Sequence, residues 1–532
     1  MKWMLVALVV AGSLTLLRAA TFAAEPKAGS AEAFYNQAVK AAGSRGAGAG
    51  EQFCWDANYS MGTFVRAYET WHNTEWLDWG VKFYDFCISK MQAGPDGLKG
   101  WIGSYGYDGK VWCDVHVGDA ILADNMLEFA ELVLASDELK KKYGEAANRY
   151  VELARKHVIG KWDSRGTWRE DGPYGAYVSW DTYCEPEKLD AWKKLPDTNG
   201  SGLSLPFNKQ NDMAQVCLKL YRITGQKSHR DKAEKIFSFM RSRFQFVGDH
   251  YVWNYWEPFG PWDVDLAAGK TRHWMNVHGY RNYQAGEIGQ IVEAYHTGLV
   301  FTRKDIERIV NTNLKVMWNQ DKAAAKFVNS NADLPVPVMT EAEKKAQAEA
   351  EAANPYAKEG RAGCLWTGLL DFDPTIRELY AVQLKGDKTD VRSAVARDYF
   401  ENVTMKRPPG FTRRWCREGE FPRPERPVSE CRSLTVATVM PCVVKAGTKS
   451  VVLCKARVPV ELEVAVYSAD GKDKKLTLHK GPVPGGTDGL AGIFILQWDG
   501  SDPAGQVKLD RGDYRLRWTV PDGYREFAVT IQ

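Results

Sequence analysis

Several things are missing from this chain of 532 residues, and each absence removes a class of function. There is no strong charge of either sign. Lys and Arg total 70 against 67 Asp and Glu, a net charge of +3, so the basic footprint of a nucleic-acid binder is absent. There is no C-x-x-C, which removes the signals of a zinc ribbon, a thioredoxin motif and c-type haem attachment. H-E-x-x-H is absent, and His273 and His278 are five apart and off a shared helical face, so a metal site has little support. G-x-x-x-x-G-K-[ST] and G-x-S-x-G are absent too, which leaves no phosphate loop and no serine-hydrolase elbow. The G-A-G-A-G at Gly46–Gly50 opens no helix of the right kind and reads as a linker. No cofactor is expected. Beyond the leader, no apolar run reaches 18 residues, so no membrane span is expected.

Aromatic residues are what the chain has in surplus: 20 Trp, 23 Tyr and 21 Phe. Twenty Trp exceed what packing alone tends to use. Flat surfaces for stacking a ligand are one explanation, with sugar rings the obvious ligand, and a Trp-rich core is the other.

The ends of the chain differ from its middle. Met1–Ala24 reads as a secretory signal, with Lys2 at the start, the apolar run Leu5–Leu17 and small residues at the cleavage site. Losing it with Lys2 and Arg18 leaves a charge of about +1. The expected location is periplasmic or extracellular. Export permits disulfides, and Cys416, Cys431, Cys442 and Cys454 cluster as one or two expected local staples. Cys217 lies inside a helical pattern and reads as a buried free thiol. Residues 433–532 alternate apolar and polar, as in Val460–Tyr467, with turn signals such as Asp470-Gly471 and Asp522-Gly523. That predicts a small β-sandwich. Gln497–Gln506 with Arg511–Leu516 resembles the immunoglobulin-like module of flagellar hook-capping proteins, which implies an accessory domain. The Pro-rich stretch 407–432 is the expected linker, and residues 25–50 a linker with an N-terminal helix.

Residues 51–406 carry a repeat. An apolar-striped helix ends at a short turn and a more charged helix follows: Cys54–Asn73 and Thr74–Met91; His116–Ser136 and Asp137–Val158; Leu205–Gly225 and Gln226–Phe246; His278–Gly298 and Thr302–Met317; Trp366–Gly386 and Asp387–Met405. The second helices are entered through polar caps such as Asp137 or Thr302. A spacing of about 50–90 residues is too long for an open solenoid, whose repeats run about 34–47. The expected fold is therefore mainly α, an incomplete (α/α)5–6 toroid, followed by the sandwich. Thr340–Ala353 reads as a solvated helical insertion.

In a toroid the inner-helix N-termini gather around one mouth. Here they bring Trp55 and Asp56; Trp112, Asp114 and His116; Phe207, Asn208 and Asn211; His278, Tyr280 and Arg281; and Cys364 and Trp366. Trp101, Trp253, Trp256, Trp262 and Trp274 fall there or in the loops that follow. Each residue has a plainer reading: His116 and Asn208 as helix caps, and Asp119, Asp212 and Glu287 as dipole carboxylates.

Leu205–Asn208, Leu220–Gly225, Tyr251–Trp256 and Glu293–Thr302 resemble the exported (α/α)-toroid polysaccharide lyases that cut glucuronan or alginate. Where such relatives place a compact helix start before the His, this chain carries the longer loop Glu257–Met275. The resemblance implies β-elimination on a uronic-acid glycan, with a polysaccharide or oligosaccharide as partner. The C5 proton of a uronate leaves only when its carboxylate is neutralised, so an amide or His, a base and an acid are needed. Asn208 takes the neutralising role, His278 that of base or co-neutraliser, and Tyr356 or Tyr283 that of acid. Arg281 and Arg361 bind carboxylates. Trp253, Trp256 and Trp366 stack sugar rings, with His116, Trp112, Tyr255 and Tyr280 completing the binding set. The alternatives are a glycoside hydrolase on the same scaffold, with Asp114 or Asp119 paired with Glu287, and a non-catalytic glycan-binding protein of the envelope.

Overall fold

The computed structural model describes residues 29–43, 50–94, 96–104, 112–180, 202–275, 281–328, 331, 345, 363–385, 390–406, 429–486 and 490–532. The leader, all of the 340–353 insertion but residue 345, and most of the Pro-rich linker lie outside them.

The chain folds as helical hairpins closed into a ring. Helix α1 is Ala31–Ala42, α2 Glu51–Trp71, α3 Glu75–Ile88, α4 His116–Leu134, α5 Asp137–Leu153 and α6 Lys161–Ser164. Then come α7 Phe207–Thr224, α8 Lys227–Arg243, α9 Arg281–His296, α10 Arg303–Asn311, α11 Pro374–Leu384 and α12 Val391–Tyr399. Inner helices touch in sequence order. Helix α2 packs on α4, α4 on α7, α7 on α9, and α9 on the short 3-10 turn Thr367–Leu369. The last described helix, α12, returns to α2 and closes the ring. The fold is thus a mainly α (α/α) toroid with a β-domain behind it.

Local sequence explains the details. Two outer helices start at capping side chains: Ser136 accepts from the Leu139 N–H, and Thr302 and Asp305 form a capping box. The cap of α5 is therefore Ser136, and Asp137 is the first helical residue. The expected long helix from Trp366 to Gly386 is instead a 3-10 turn and a separate α11. Pro374 cannot donate into a continuing helix, and Asp373 caps the new start. Helix α1 belongs to the ring's core, with Phe34 edge-on to Phe64 at 5.1 Å.

The C-terminal strands are β1 Leu434–Met440, β2 Val443–Val444, β3 Ser450–Ala456, β4 Val460–Ser468, β5 Lys474–Val483, β6 Ile493–Trp498, β7 Gly512–Val520 and β8 Gly523–Ile531. They form a three-stranded sheet ordered β1-β3-β6 and a five-stranded sheet ordered β2-β8-β7-β4-β5. Only β2 and β8 run parallel among the described pairs. One buried cluster spans the sandwich, including Val439, Val452, Val464 and Trp518. The expected staples are not formed among the described cysteines. Cys431, Cys442 and Cys454 are buried free thiols, and the Cys442 thiol faces the Asp171 carbonyl of the toroid. Cys217 is also a buried free thiol. Cys416 lies outside the described residues. No described helix is long and apolar enough to cross a membrane.

Candidate active site

Inner helix α7 is buried on most of its surface yet carries a polar stripe toward its inner neighbours. On α7 the stripe is Asn208, Asp212, Gln215, Lys219 and Arg222, spaced at i, i+4, i+7, i+11 and i+14. Its partners come from the neighbouring inner helices, which shows that the stripe faces inward. Lys219 Nζ is 2.8 Å from Asp124 Oδ1 on α4. Arg222 pairs with Glu131 on α4 at 2.6 Å and Glu293 on α9 at 3.1 Å. Gln215 donates to Glu293. These pairs cross-link α4, α7 and α9 toward their C-terminal ends and form a floor.

Toward the N-terminal ends the axis is more open. Tyr59 on α2 is 50 % exposed, and a Cβ built on Gly286 of α9 meets nothing within 4 Å. Between mouth and floor lies Asp212. Gln290 on α9 donates to its Oδ1 at 2.7 Å, and no Lys or Arg among the described residues sits within ion-pair distance. Asp212 keeps partial access to solvent although it lies deep in the ring. Burial is the main force on its carboxyl. With the negative charges of Asp124 and Glu287 it outweighs the Gln290 hydrogen bond and pushes the pKa up to about 7. Asp124 has a side chain 27 % exposed. Burial and the charges of Glu293 and Glu128 raise it to about 6 against the opposing pull of Lys219. Both carboxyls therefore titrate near neutral pH, where one can hold a proton while the other is charged.

Aromatic rings line the mouth above. Trp55 at the start of α2 faces Tyr283 at the start of α9, with centroids 6.0 Å apart. Tyr283 stacks on Tyr255 at 6.0 Å and 21°, and Tyr255 stacks on Trp274 at 5.4 Å and 18°. His273 lies 5.2 Å from Trp274. All five rings are partly exposed. One turn below Trp55, the exposed Tyr59 continues the same helix face inward.

Asn208 occupies the second position of α7, below Tyr255, whose carbonyl accepts from the Phe207 N–H at 3.2 Å. Pro206 holds the cap position, so Asn208 is not the cap. It is buried, and neither amide atom has a hydrogen-bond partner among the described residues. An amide in that state lacks about 1–3 kcal/mol of satisfaction.

Several expected site residues have other duties. Trp253, Trp256 and Trp366 are fully buried and cannot stack a sugar. Trp253 packs on Trp366 at 5.6 Å and donates to Glu287 at 3.0 Å, while Trp256 donates to the Ser204 carbonyl at 2.7 Å. Trp101 is likewise core, donating to the Cys87 carbonyl. His116 is buried, stacked on Trp162 at 3.7 Å and joined to Thr167 Oγ1 at 3.1 Å. Burial and then the Lys161 charge hold its pKa well below the usual value, so it is a neutral core residue rather than a binding one. Asn211 faces the outer helix α8 and donates to the Met240 sulfur. Asp114 and Asp119 are excluded as a hydrolase pair with Glu287. Lys161 lies 2.9 Å from Asp114 and 2.6 Å from Asp119, Arg165 adds a 2.6 Å contact to Asp114, and all four side chains are buried. Tyr283 and Tyr255 do reach the mouth. Of Arg281 and Trp112 only the backbone is described. His278, Tyr280, Tyr356 and Arg361 lie outside the described residues. No cluster of three or more His, Cys, Asp or Glu that could hold a metal occurs among the described residues.

The sequence reading weighed Asp212 only as a dipole carboxylate and missed Asp124. For Asp212 the signal was present: five polar residues at helical period on α7, whose other sides are apolar or buried.

No protein-family model matches the chain, and no curated protein matches it. Solved structures with loosely similar folds include an inactive variant of the alpha-1,6-mannanase GH76A of Salegentibacter sp. HEL1_6 in complex with alpha-1,6-mannotriose. It has a TM-score of 0.33 and 13 % identity, covering 69 % of this chain and 98 % of that one. A family 76 glycoside hydrolase from a bovine Bacteroides thetaiotaomicron strain gives 0.28 and 12 %, covering 46 % of this chain and 42 % of that one. The family 76 mannosidase from Bacteroides thetaiotaomicron VPI-5482 gives 0.27 and 12 %, over 44 % and 52 %. Overlaps this loose carry no argument about the chemistry of this chain.

Proposed function

We propose that this protein is a carbohydrate-active enzyme that hydrolyses a glycan in the mouth of the toroid. The observation that carries the reading is Asp212: a cavity-facing carboxyl with no paired cation among the described residues and a pKa near 7, beneath a row of partly exposed aromatic rings. Glycoside hydrolysis needs an acid that still holds its proton at working pH and a second carboxylate that is charged. Asp212 donates its proton to the glycosidic oxygen. Asp124, held as an anion by Lys219, serves as base or nucleophile. Trp55, Tyr283, Tyr255 and Trp274 present their faces to sugar rings, and the Asn208 amide takes a sugar hydroxyl.

The lining bears on substrate charge. Asp124, Glu287, Glu293 and Glu131 outnumber Lys219 and Arg222 along the described axis, so a polyanion entering it meets like charge. A neutral glycan fits better than a uronate. One observation favours the second reading, a lyase: the unpartnered Asn208 amide is suited to a uronate carboxylate.

One assay separates the two. The protein is incubated with a neutral α-mannan, a neutral β-glucan, xylan and a polyuronate. Hydrolysis releases reducing ends with no new ultraviolet absorbance, whereas elimination creates an unsaturated sugar that absorbs. Absorbance from the polyuronate alone would replace the hydrolase with the lyase, and binding without any cleavage would leave a glycan-binding protein.

A further inference from the structure

We propose that the C-terminal sandwich positions the aromatic mouth of the toroid; this rests on the reading of that mouth as a glycan site. Strands β1 and β3 are buried along their whole length, on both faces. Alternation assigns the two sides. Val439 and Val452 point into the sandwich core. Val436, Met440, Val451 and Leu453 point the other way and form one apolar cluster with Trp256, Val264 and Met275 of the toroid. A sheet apolar on both faces must keep both covered, so this sandwich is docked rather than tethered.

The toroid residues it covers are those that flank the stacking rings. Asn254 donates to the Thr435 carbonyl of β1 at 3.2 Å and to Glu257 at 2.7 Å. Trp256 sits in the shared cluster. Tyr255 lies between these two anchors, and its ring carries the stack from Tyr283 to Trp274. Met275, next to Trp274, is held in the same cluster. Polar contacts reinforce the joint. Gln245 donates to the carbonyls of Cys431 and Leu434 at 2.7 Å each, and Arg243 bonds both Thr438 of β1 and the Pro258 carbonyl. The segment 254–275 is thus fixed from behind by β1 and β3 while its front face forms the mouth. Val436 and Val451 are positioning residues, acting through Trp256 and Met275 on Tyr255 and Trp274.

Two matched variants of the full chain test this. Val436→Ala with Val451→Ala empties the toroid-facing side of the sheet. Val439→Ala with Val452→Ala empties the core-facing side of the same two strands. Amide hydrogen exchange of residues 254–257 and 273–275 is measured, together with KM and kcat on whichever polysaccharide of the panel above the unaltered protein cleaves. The toroid-facing pair is expected to speed exchange in those segments at least tenfold. It should also raise KM at least fivefold, with kcat and its pH profile unchanged. The core-facing pair is expected to lower thermal stability with neither effect. Equal effects of the two pairs, or no local change from the toroid-facing pair, would overturn the proposal. Should the unaltered protein cleave none of the panel, the enzyme reading fails while the exchange contrast still decides the positioning role.

Discussion

Two groups of buried charge lie within one fold, and they are built on opposite terms. Asp114, Asp119, Lys161 and Arg165 sit where α4 meets α6, closed from solvent, every carboxylate matched by a cation within 3 Å. Burial works to raise the Asp114 pKa, but the Lys161 and Arg165 charges win and hold it below the usual carboxylate range. At Asp119 burial with the Asp114 charge outweighs Lys161 and pushes the pKa up to about 6, so access rather than pKa separates this group from the next. Asp212 and Asp124 keep access to solvent, only Asp124 has a cation partner among the described residues, and both are raised. The residue types are the same. Saturation of charge and lack of access mark the first group as architecture. Access with incomplete pairing marks the second as chemistry.

That contrast can be broken at either end. The largest expected effect is from Asp212→Asn, which should cut turnover by about 10²–10⁴-fold, the range for a lost general acid, with the fold intact by circular dichroism. More than a tenth of the original kcat would remove Asp212 from the mechanism. Asp114→Ala should do the reverse. It leaves buried Lys161 and Arg165 short of their counter-ion, so urea unfolding should show a loss of about 3–5 kcal/mol. Replacing a mouth ring is milder. Tyr255→Ala or Tyr283→Ala should weaken oligosaccharide binding by about 2- to 10-fold, the worth of ~0.5–1.5 kcal/mol of ring contact, read by calorimetry. Gly286→Phe should hinder binding in a similar way by filling space that is open now.

The smallest effect is on pH dependence. If Asp212 must be protonated and Asp124 charged, activity falls above about pH 7 and below about pH 6, a narrow bell. Stability follows the same shift. A carboxyl whose folded pKa is raised binds its proton more tightly when folded, so it costs stability progressively as pH rises from about 4 through about 7. Asp212→Asn should reduce that slope but leave the part due to Asp124 and Asp119, seen by comparing urea midpoints at pH 5 and pH 8.

The toroid was legible because its repeat is written in helical periodicity, and the sandwich because its strands alternate. The break at Asp373-Pro374 was legible in principle, since proline ends an incoming helix, but the apolar stripe across it masked the stop. The site was harder. Asn208, Tyr255 and Tyr283 could be placed at the mouth from their position at or beside inner-helix starts. The Trp residues misled because a ring that stacks sugar and a ring that fills core are the same ring, and only burial separates them. Trp253, Trp256 and Trp366 turned inward, while Trp55 and Trp274 stayed at the rim. The charge networks were out of reach of one-dimensional reading. Asp114 meets Lys161 across 47 positions, and Gln290 meets Asp212 across 78.

The ring's closure has a kinetic consequence. Trp71 at the end of α2 donates to Asp398 in α12 at 3.0 Å, a contact that spans 327 positions, and Arg392 donates to Ser60 further back along α2. Neighbouring inner helices can dock while the chain between them is still short. This seam cannot form until nearly the whole helical domain exists, and it carries a large loop-closure cost. The seam should therefore be the last join to set during folding and the first to part under load.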